Sequence, residues 1–250
     1  MAAAIALAAF AIMLAGALGG SRLRGIMPRH HLTDDTKDVV RLGTGLVGTI
    51  AALVLGLLIA AANSAYQTQT GNLERVAADL IVVDQVLAQY GPEARPARED
   101  LRQAVEPLIA RIWRDDRSAG GAQLPYASSP AGGVAYGRIV QLAPQNDIQR
   151  TLKERAMQVL VDLGTTRLLL FEQGGGTLPY PFLAVLVFWL AIIFASYGLF
   201  SDLNPIVIGA LVVFAASAAG ALFLVLELSD PFSGLMQISS APLRHALAPL

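Results

Sequence analysis

The longest apolar stretch of the chain, residues 42–64, predicts a membrane-spanning helix. It reads LGTGLVGTIAALVLGLLIAAANS, and no charged residue occurs between Arg41 and Glu74. A helix needs about 20 apolar residues to cross a bilayer, so this stretch is long enough. Similar uncharged stretches occupy residues 1–20, 181–200 and 206–226. The hydrophobic pattern therefore predicts four membrane helices.

Between the second and third of these stretches, the pattern becomes that of amphipathic helices. Apolar residues recur at spacings of three and four, which predicts that the second helix continues past the membrane to a turn at Gly91 and Pro92. Further amphipathic helices are predicted at 97–113 and 146–172, with a long loop at 117–137. The apolar seam of the second helix consists of Leu73, Val76, Leu80, Val83 and Leu87.

These patterns predict an all-α fold: a multi-pass helical membrane protein with four transmembrane helices and an inserted three- to four-helix extramembrane domain. Residues 1–64 hold the first two membrane helices and a short basic connection. Residues 65–178 form the extramembrane helical domain. Residues 179–228 hold the third and fourth membrane helices, and residues 229–250 form a C-terminal tail.

A row of small residues every fourth position distinguishes the second membrane helix. Residues four apart lie close to one helix face, so such a row forms a groove in which other backbones approach closely. Each step overshoots one turn by about 40°, so the groove winds roughly halfway round the helix. Two interpretations remain open: ordinary membrane packing, or packing in a ring around a pore. The row is Thr44, Gly48, Ala52, Gly56, Ala60 and Ser64.

If the helix surrounds a pore, the residues opposite the groove are its expected lining. An apolar constriction gates by dewetting and needs no charged group. Arg41 and Asn63 would lie at the two mouths, and Arg41 would favour anions. The expected apolar lining is Val47, Ile50, Val54, Leu57 and Leu58.

Composition and charge support a membrane protein and narrow its chemistry. Hydrophobic residues make up 54% of the chain and charged residues 15%. The net charge of -1 gives no electrostatic basis for nucleic-acid binding. The absence of cysteine excludes disulfides and thiolate chemistry. Basic residues follow the first apolar stretch and do not precede it, which favours a retained helix over a signal peptide and places residues 21–41 in the cytoplasm. Arg244 argues mildly for the opposite orientation.

No catalytic, metal or cofactor motif stands out. The sequence contains no nucleophile elbow, no zinc-protease motif and no phosphate-binding glycine loop, so we expect neither an enzyme nor a cofactor. The pairs at residues 30–31 (His-His) and 115–116 (Asp-Asp) have no obvious further ligand, so we expect no metal site. The four predicted spans contain no charge, which weakens an ion-coupled transporter.

Two segments resemble a known family. The run AANSAYQTQTGNLERVAADL after the second apolar stretch and the closing LELSDPFSG are similar to the bestrophin-like domain family of bacterial and plant membrane proteins. Asp230, Pro231, Phe232 and Gly234 resemble the Asn-Pro-Phe-Gly segment of bestrophins, with one residue inserted before the glycine. The acidic run that binds calcium in animal bestrophins is absent here. The motif is open to two interpretations, a gate or a helix exit with Phe232 at the membrane interface.

The resemblance implies a location and partners as well as an architecture. Bestrophins are pentameric anion channels, so it implies a homo-oligomeric ring, with five copies as one option, in contact with membrane lipid and small inorganic ions. The implied location is the bacterial cytoplasmic (inner) membrane. Our first hypothesis is an anion-conducting channel lined by the second helix. The alternative is a non-conducting membrane scaffold or sensor whose helical domain binds a partner protein through residues 115–145.

Overall fold

The computed structural model describes residues 1–28, 33–113, 130–173, 180–202 and 204–246, and every regular element in these ranges is helical. Four of the helices are long and apolar enough to cross a membrane, namely the two that begin at Ala2 and Asp34 and the two that end at Phe200 and Leu228. The predicted all-α class with four membrane helices is therefore confirmed. The helices are α1 (Ala2–Ile26), α2 (Asp34–Tyr90), α3 (Arg95–Ile112), α4 (Pro130–Gln141), α5 (Asp147–Gln173), α6 (Tyr180–Phe200), α7 (Pro205–Leu228) and α8 (Ala241–Ala246).

The chain forms two compact units. The membrane unit comprises Met1–Ala65 and Thr177–Ser229, and the helical unit comprises Tyr66–Gly176 and Asp230–Leu250. Helix α2 begins in the first and ends in the second. The sequence pattern left residues 229–250 as a separate tail. In the structure, most of that segment belongs to the helical unit, where Trp113 donates its indole N–H to the carbonyl of Ile238 at 2.9 Å.

The membrane unit is built on a close crossing of α1 and α6. Glycines on each helix face the backbone of the other, so a side chain would not fit between them. A Cβ placed on Gly16 would lie 2.7 Å from the carbonyl oxygen of Ala191, and one on Gly20 would meet Ala195 more closely still. Gly198 of α6 faces Ala17 in the same way. Gly16 and Gly20 thus form a pair of small residues, four apart, at which the two membrane helices approach closely.

The turn between α6 and α7 contains residue types that favour the start of a helix. The side-chain oxygen of Asn204 accepts a hydrogen bond from the backbone N–H of Val207 at 2.8 Å, and Pro205 occupies the first turn of α7. Both are favourable at a helix start. Arg24 at the end of α1 forms an ion pair with Asp202 in this turn, with 2.6 Å between nitrogen and oxygen. These contacts tie the ends of three membrane helices together.

The helical unit has its own apolar core, centred on the second half of α2. The five predicted seam residues of α2 are all buried there, together with residues of α3, α4, α5 and α8. α2 ends at Tyr90 because Gly91 takes a backbone φ of 126°, which residues other than glycine rarely adopt. The predicted extension of the second helix to this turn is confirmed.

Helix α4 was not predicted. The sequence pattern assigned residues 117–137 to a loop, yet residues from 130 onward are helical. The earlier part of that predicted loop lies outside the described residues. Ala135 and Ile139, four residues apart, are buried in the core. Lys153 of α5 donates to the carbonyl oxygens of Val140 and Leu142 at 2.6 and 2.7 Å, satisfying the end of α4.

Candidate functional site

The apolar stretch of α2 packs with one side against its own membrane unit. Ala51 is buried there, and Leu55 and Leu58 pack against the same core cluster. A Cβ on Gly48 would lie 3.8 Å from Cδ1 of Ile193, an ordinary contact distance. These residues recur at spacings of three and four, so they define one helix face. That face anchors α2 to the other membrane helices.

The opposite side of α2 is open. Leu42, Leu46, Leu53 and Leu57 have between 63% and 76% of their surface exposed in the single chain. Ile50 is also exposed. A solitary membrane chain shows lipid-facing and subunit-facing surfaces alike as exposed apolar side chains. The open side of α2 is thus a candidate contact with a neighbouring subunit, with lipid or with a pore.

The predicted lining residues divide between the two sides. Ile50 and Leu57 lie on the open side, whereas Val47 and Val54 are half-buried and Leu58 joins the core. The predicted and observed open sides of α2 differ by a rotation about the helix axis. The sequence gives the helical period but does not show which face of α2 packs against the other membrane helices. The structure adds Leu46 and Leu53 to the open side, and the two predicted mouth residues, Arg41 and Asn63, are exposed.

The small-residue row also passes from one side to the other. Thr44 and Gly48 are half-buried, and Gly48 faces Ile193 of α6. The later members of the row, Ala52, Gly56, Ala60 and Ser64, are exposed, and no atom lies within 4 Å of a Cβ built on Gly56. The groove thus faces its own subunit at one end of the stretch and the exterior at the other. This winding leaves four of the six members of the row open to a second molecule.

The two threonine hydroxyls of the stretch are satisfied by the helix backbone. The Thr44 hydroxyl donates to the carbonyl of Val40 at 2.7 Å, and the Thr49 hydroxyl donates to that of Gly45 at 3.0 Å. With no acidic or basic side chain between Arg41 and Glu74, the open side carries no fixed charge. Such a surface can restrict ion passage only through its apolar side chains and its diameter.

Buried polar side chains lie near the ends of the apolar helices, and sequence reasoning missed them. Glu227 is only 7% exposed and falls in the last turn of α7, which runs two residues beyond the predicted end at 226. Gln69 is 2% exposed, and neither atom of its amide group has a hydrogen-bond partner in the described structure. Gln69 precedes Leu73 by four residues, so its position on the buried seam of α2 was visible in the sequence.

The C-terminal motif packs within the helical unit. The ring of Phe232 lies edge-on to Trp113, with 5.5 Å between ring centroids and 81° between planes. The carbonyl of Pro231 accepts from the backbone N–H of Ile238 at 2.9 Å, and the Asp230 carboxylate accepts from the Ser233 hydroxyl at 2.5 Å. Gly234 has a φ of 87°. The Phe232 ring therefore has a protein partner in Trp113, and its expected position at the membrane interface stays a prediction.

No cluster of three or more metal-ligating side chains occurs among the residues that the structure describes. The histidine pair at 30–31 and the aspartate pair at 115–116 fall outside those residues.

Comparison with known families adds a second line of observation. A family model named for the bestrophin-like domain matches residues 7–243, nearly the whole chain. The chain belongs to the bestrophin-like family.

Solved structures agree with that membership at the level of fold. A bacterial bestrophin homologue from Klebsiella pneumoniae, crystallised as a leucine-to-threonine variant, superposes with a TM-score of 0.63 and 17% sequence identity, covering 96% of both chains. A protein described only as a membrane protein, crystallised as a proline-to-alanine variant, gives 0.66 and 17%, again covering 96% of both chains. At these identities the likeness concerns the fold alone. Comparison with curated proteins finds no match by sequence.

The family resemblance noted in the sequence is thus confirmed. In this bestrophin-like chain, the C-terminal motif packs beside Trp113. The open apolar surface lies on α2.

Proposed function

We propose that the chain assembles into a ring in the membrane and conducts ions through a pore lined by α2. Family membership and the bestrophin-type fold support this proposal. The observation that carries it is the open apolar side of α2, which lies opposite the face that anchors the helix to its own subunit. A ring of such subunits can turn these open sides toward a common axis.

The proposed lining is the row on the open side of α2. Leu46, Ile50, Leu53 and Leu57 follow one another at spacings of four, three and four, so they form a stripe nearly parallel to the helix axis. A stripe of this kind, repeated by each subunit, forms a continuous apolar constriction. Such a constriction controls conduction by excluding water when narrow and admitting it when wider.

The exposed small residues support close assembly of the ring. Gly56, Ala60 and Ser64 lie beside the leucine stripe on the same open half of the helix. Small side chains let helix backbones approach closely in membranes, where packing rather than water exclusion holds helices together. We infer that this part of the groove receives a helix of the neighbouring subunit, while Thr44 and Gly48 serve the contact within the subunit.

We further propose that the permeant ions are anions and that the protein resides in the bacterial cytoplasmic membrane. Arg41 is exposed at one end of the apolar stretch, and no carboxylate lies between it and Glu74. A ring of guanidinium groups at a pore mouth concentrates anions and repels cations. The bestrophin resemblance points to the same selectivity.

The test is ion flux through protein reconstituted in liposomes, with Leu57→Ala as the principal variant. Shortening this side chain widens the proposed constriction, so we expect flux to rise severalfold. Phe188→Ala is the matched control, because Phe188 on α6 is also exposed, at 61%, but lies on another helix. Its flux should remain at the wild-type level. Under a potassium chloride gradient, the reversal potential should lie near that of chloride.

Two results would count against the proposal. If Leu57→Ala and Leu53→Ala both conduct as the wild type does, α2 does not line the pore. If the protein carries no current in either form while remaining monodisperse, the channel itself is excluded under those conditions, and a non-conducting role takes its place. A reversal potential near that of potassium would overturn the anion assignment and leave the pore intact.

A further inference from the structure

The C-terminal motif forms a closed turn with two large apolar side chains at its tip. The backbone N–H of Ile238 donates to the carbonyl of Pro231 at 2.9 Å, so the chain returns close to where the turn began. Gly234 permits this reversal, because its φ of 87° lies in a region that residues with a side chain rarely adopt. Leu235 and Met236 follow the glycine directly, and we call this pair the apolar tip.

The base and the tip of the turn differ in burial. Phe232 packs against the core of the helical unit, and Ile238 is buried within that core. Leu235 is 84% exposed, the largest fraction among the large apolar residues that the structure describes, and Met236 is 41% exposed. The turn is thus held in protein at its base and presents apolar side chains outward at its tip.

The segment around the apolar tip carries no charge. No acidic, basic or histidine side chain lies between Asp230 and Arg244. Ile148 on α5 gives a contrast within the same unit, because it is also exposed but directly follows Asp147. Exposed apolar side chains without charged neighbours mark surfaces that contact lipid or another protein.

The position of the turn along the chain favours lipid as the contact. Membrane helix α7 ends at Leu228, and the turn begins at Pro231. Three residues of chain span at most about 11 Å when fully extended. The polar headgroup layer on each side of a bilayer is about 5–8 Å deep. The turn therefore begins within reach of the headgroups that surround the end of α7.

We propose that the apolar tip inserts into the interface of the lipid bilayer and anchors the helical unit to the membrane surface. Leu235 enters the boundary between headgroups and acyl chains, where an apolar side chain leaves water. The flexible, unbranched side chain of Met236 adapts to the irregular packing of lipid there. This anchor depends on the membrane location of α7, but not on ring assembly or conduction, so its test needs no flux measurement.

The experiment places one fluorescent label at the tip of the turn. Because the chain contains no cysteine, Leu235→Cys can be labelled at that position alone with a nitrobenzoxadiazole fluorophore. The full chain is then reconstituted in phosphatidylcholine nanodiscs. We expect emission at a shorter wavelength than in water, loss of fluorescence when the lipids carry a nitroxide near the top of the acyl chain, and protection from iodide in solution. Met236→Cys should behave in the same way, and it keeps the test valid if the first variant fails to fold.

Two further positions provide the references. Ile148→Cys is the matched control, because Ile148 is exposed in the same unit but lies beside a charged residue. Its label should be quenched by iodide and not by the lipid nitroxide. Phe188→Cys on membrane helix α6 provides the lipid reference, and its label should respond to a nitroxide on the acyl chain.

Two results would overturn the membrane anchor. If iodide quenches the labels at positions 235 and 236 as strongly as the label at position 148, the tip lies in water. If neither iodide nor the lipid nitroxide reaches those two labels, protein covers the tip, and a contact with a neighbouring subunit replaces the contact with lipid.

Discussion

The Asp84 carboxylate joins α2 to α3 through two arginines. Its oxygens accept from Nε and Nη2 of Arg98 at 2.9 and 2.8 Å, a two-point contact, and Arg102 lies 3.5 Å away. The hydrogen bonds from Arg98 hold the pKa of Asp84 below its usual value. The Asp84 side chain is only 15% exposed, so the pair is partly shielded from water. Such pairs contribute more than ion pairs on an open surface.

We therefore expect Arg98→Ala to destabilise the helical unit by about 1.5–3 kcal/mol, the range for hydrogen bonds to charged groups. Thermal unfolding followed by the fluorescence of Trp113, in a Trp189→Phe background that removes the second tryptophan, measures this as a lower Tm. Arg150→Ala is the control, because its ion pair with Asp147 is well exposed and adds little. Equal Tm losses in the two variants would contradict the assignment. Since the folded pKa of Asp84 is depressed, its contribution is present above about pH 4 and is lost as the pH falls through the folded value.

The sequence reveals the apolar side chains of this region but not its polar partners. The spacing of Leu73, Val76 and Leu80 predicts that they are buried, because apolar residues on one helix face recur with the helical period. Asp84 and Arg98 have no such signal, since they meet only when α3 folds back along α2. The same limit explains why Val54 and Leu57 were grouped together. Only the packed structure reveals which of the two faces its own subunit.

Among the elements, α4 shows how tertiary contacts override local preference. Three glycines in Pro130–Gln141 argue against a helix, as each lowers intrinsic helix propensity. The helix forms because Ile139 is fully buried, Arg138 pairs with Asp100 of α3, and Lys153 caps its end. The long membrane helices were predictable because each contains an uncharged apolar stretch of about 20 residues, which is the length that crosses a bilayer.

The crossing of α1 and α6 gives a prediction at the level of the helix pair. Gly20→Ala places a methyl group against the backbone of Ala195, so the two helices must separate. Overpacking of this kind typically costs about 1–3 kcal/mol. We expect a lower Tm and less monodisperse protein after detergent extraction, measured by fluorescence-detected gel filtration.

The neighbouring glycine supplies the control for that experiment. A Cβ on Gly19 meets no atom within 4 Å, so Gly19→Ala should leave both quantities unchanged or slightly improve stability. If Gly20→Ala extracts and elutes like Gly19→Ala, the close backbone approach is not essential to the membrane unit.

For the whole molecule, the open half of α2 and the exposed small pair Ala216–Gly220 on α7 are surfaces that one subunit leaves uncovered. Native mass spectrometry in mild detergent measures how many subunits assemble to cover these surfaces. We expect a closed ring of at least four subunits, because a shared pore needs several α2 helices around one axis. A monomer or dimer would leave no room for such a pore and would favour the scaffold hypothesis.

The glycine contacts between α1 and α6 also constrain the number of residues between Gly16 and Gly20. Gly16 and Gly20 meet Ala191 and Ala195, so both helices advance by the same four residues between contacts. Inserting one residue between the two glycines would turn one of them about 100° away from α6, whereas inserting a whole turn would return it close to the same face. The spacing of these glycines along α1 is therefore as restricted as their identity, and single-residue insertions here should be far less tolerated than in the connections between helices.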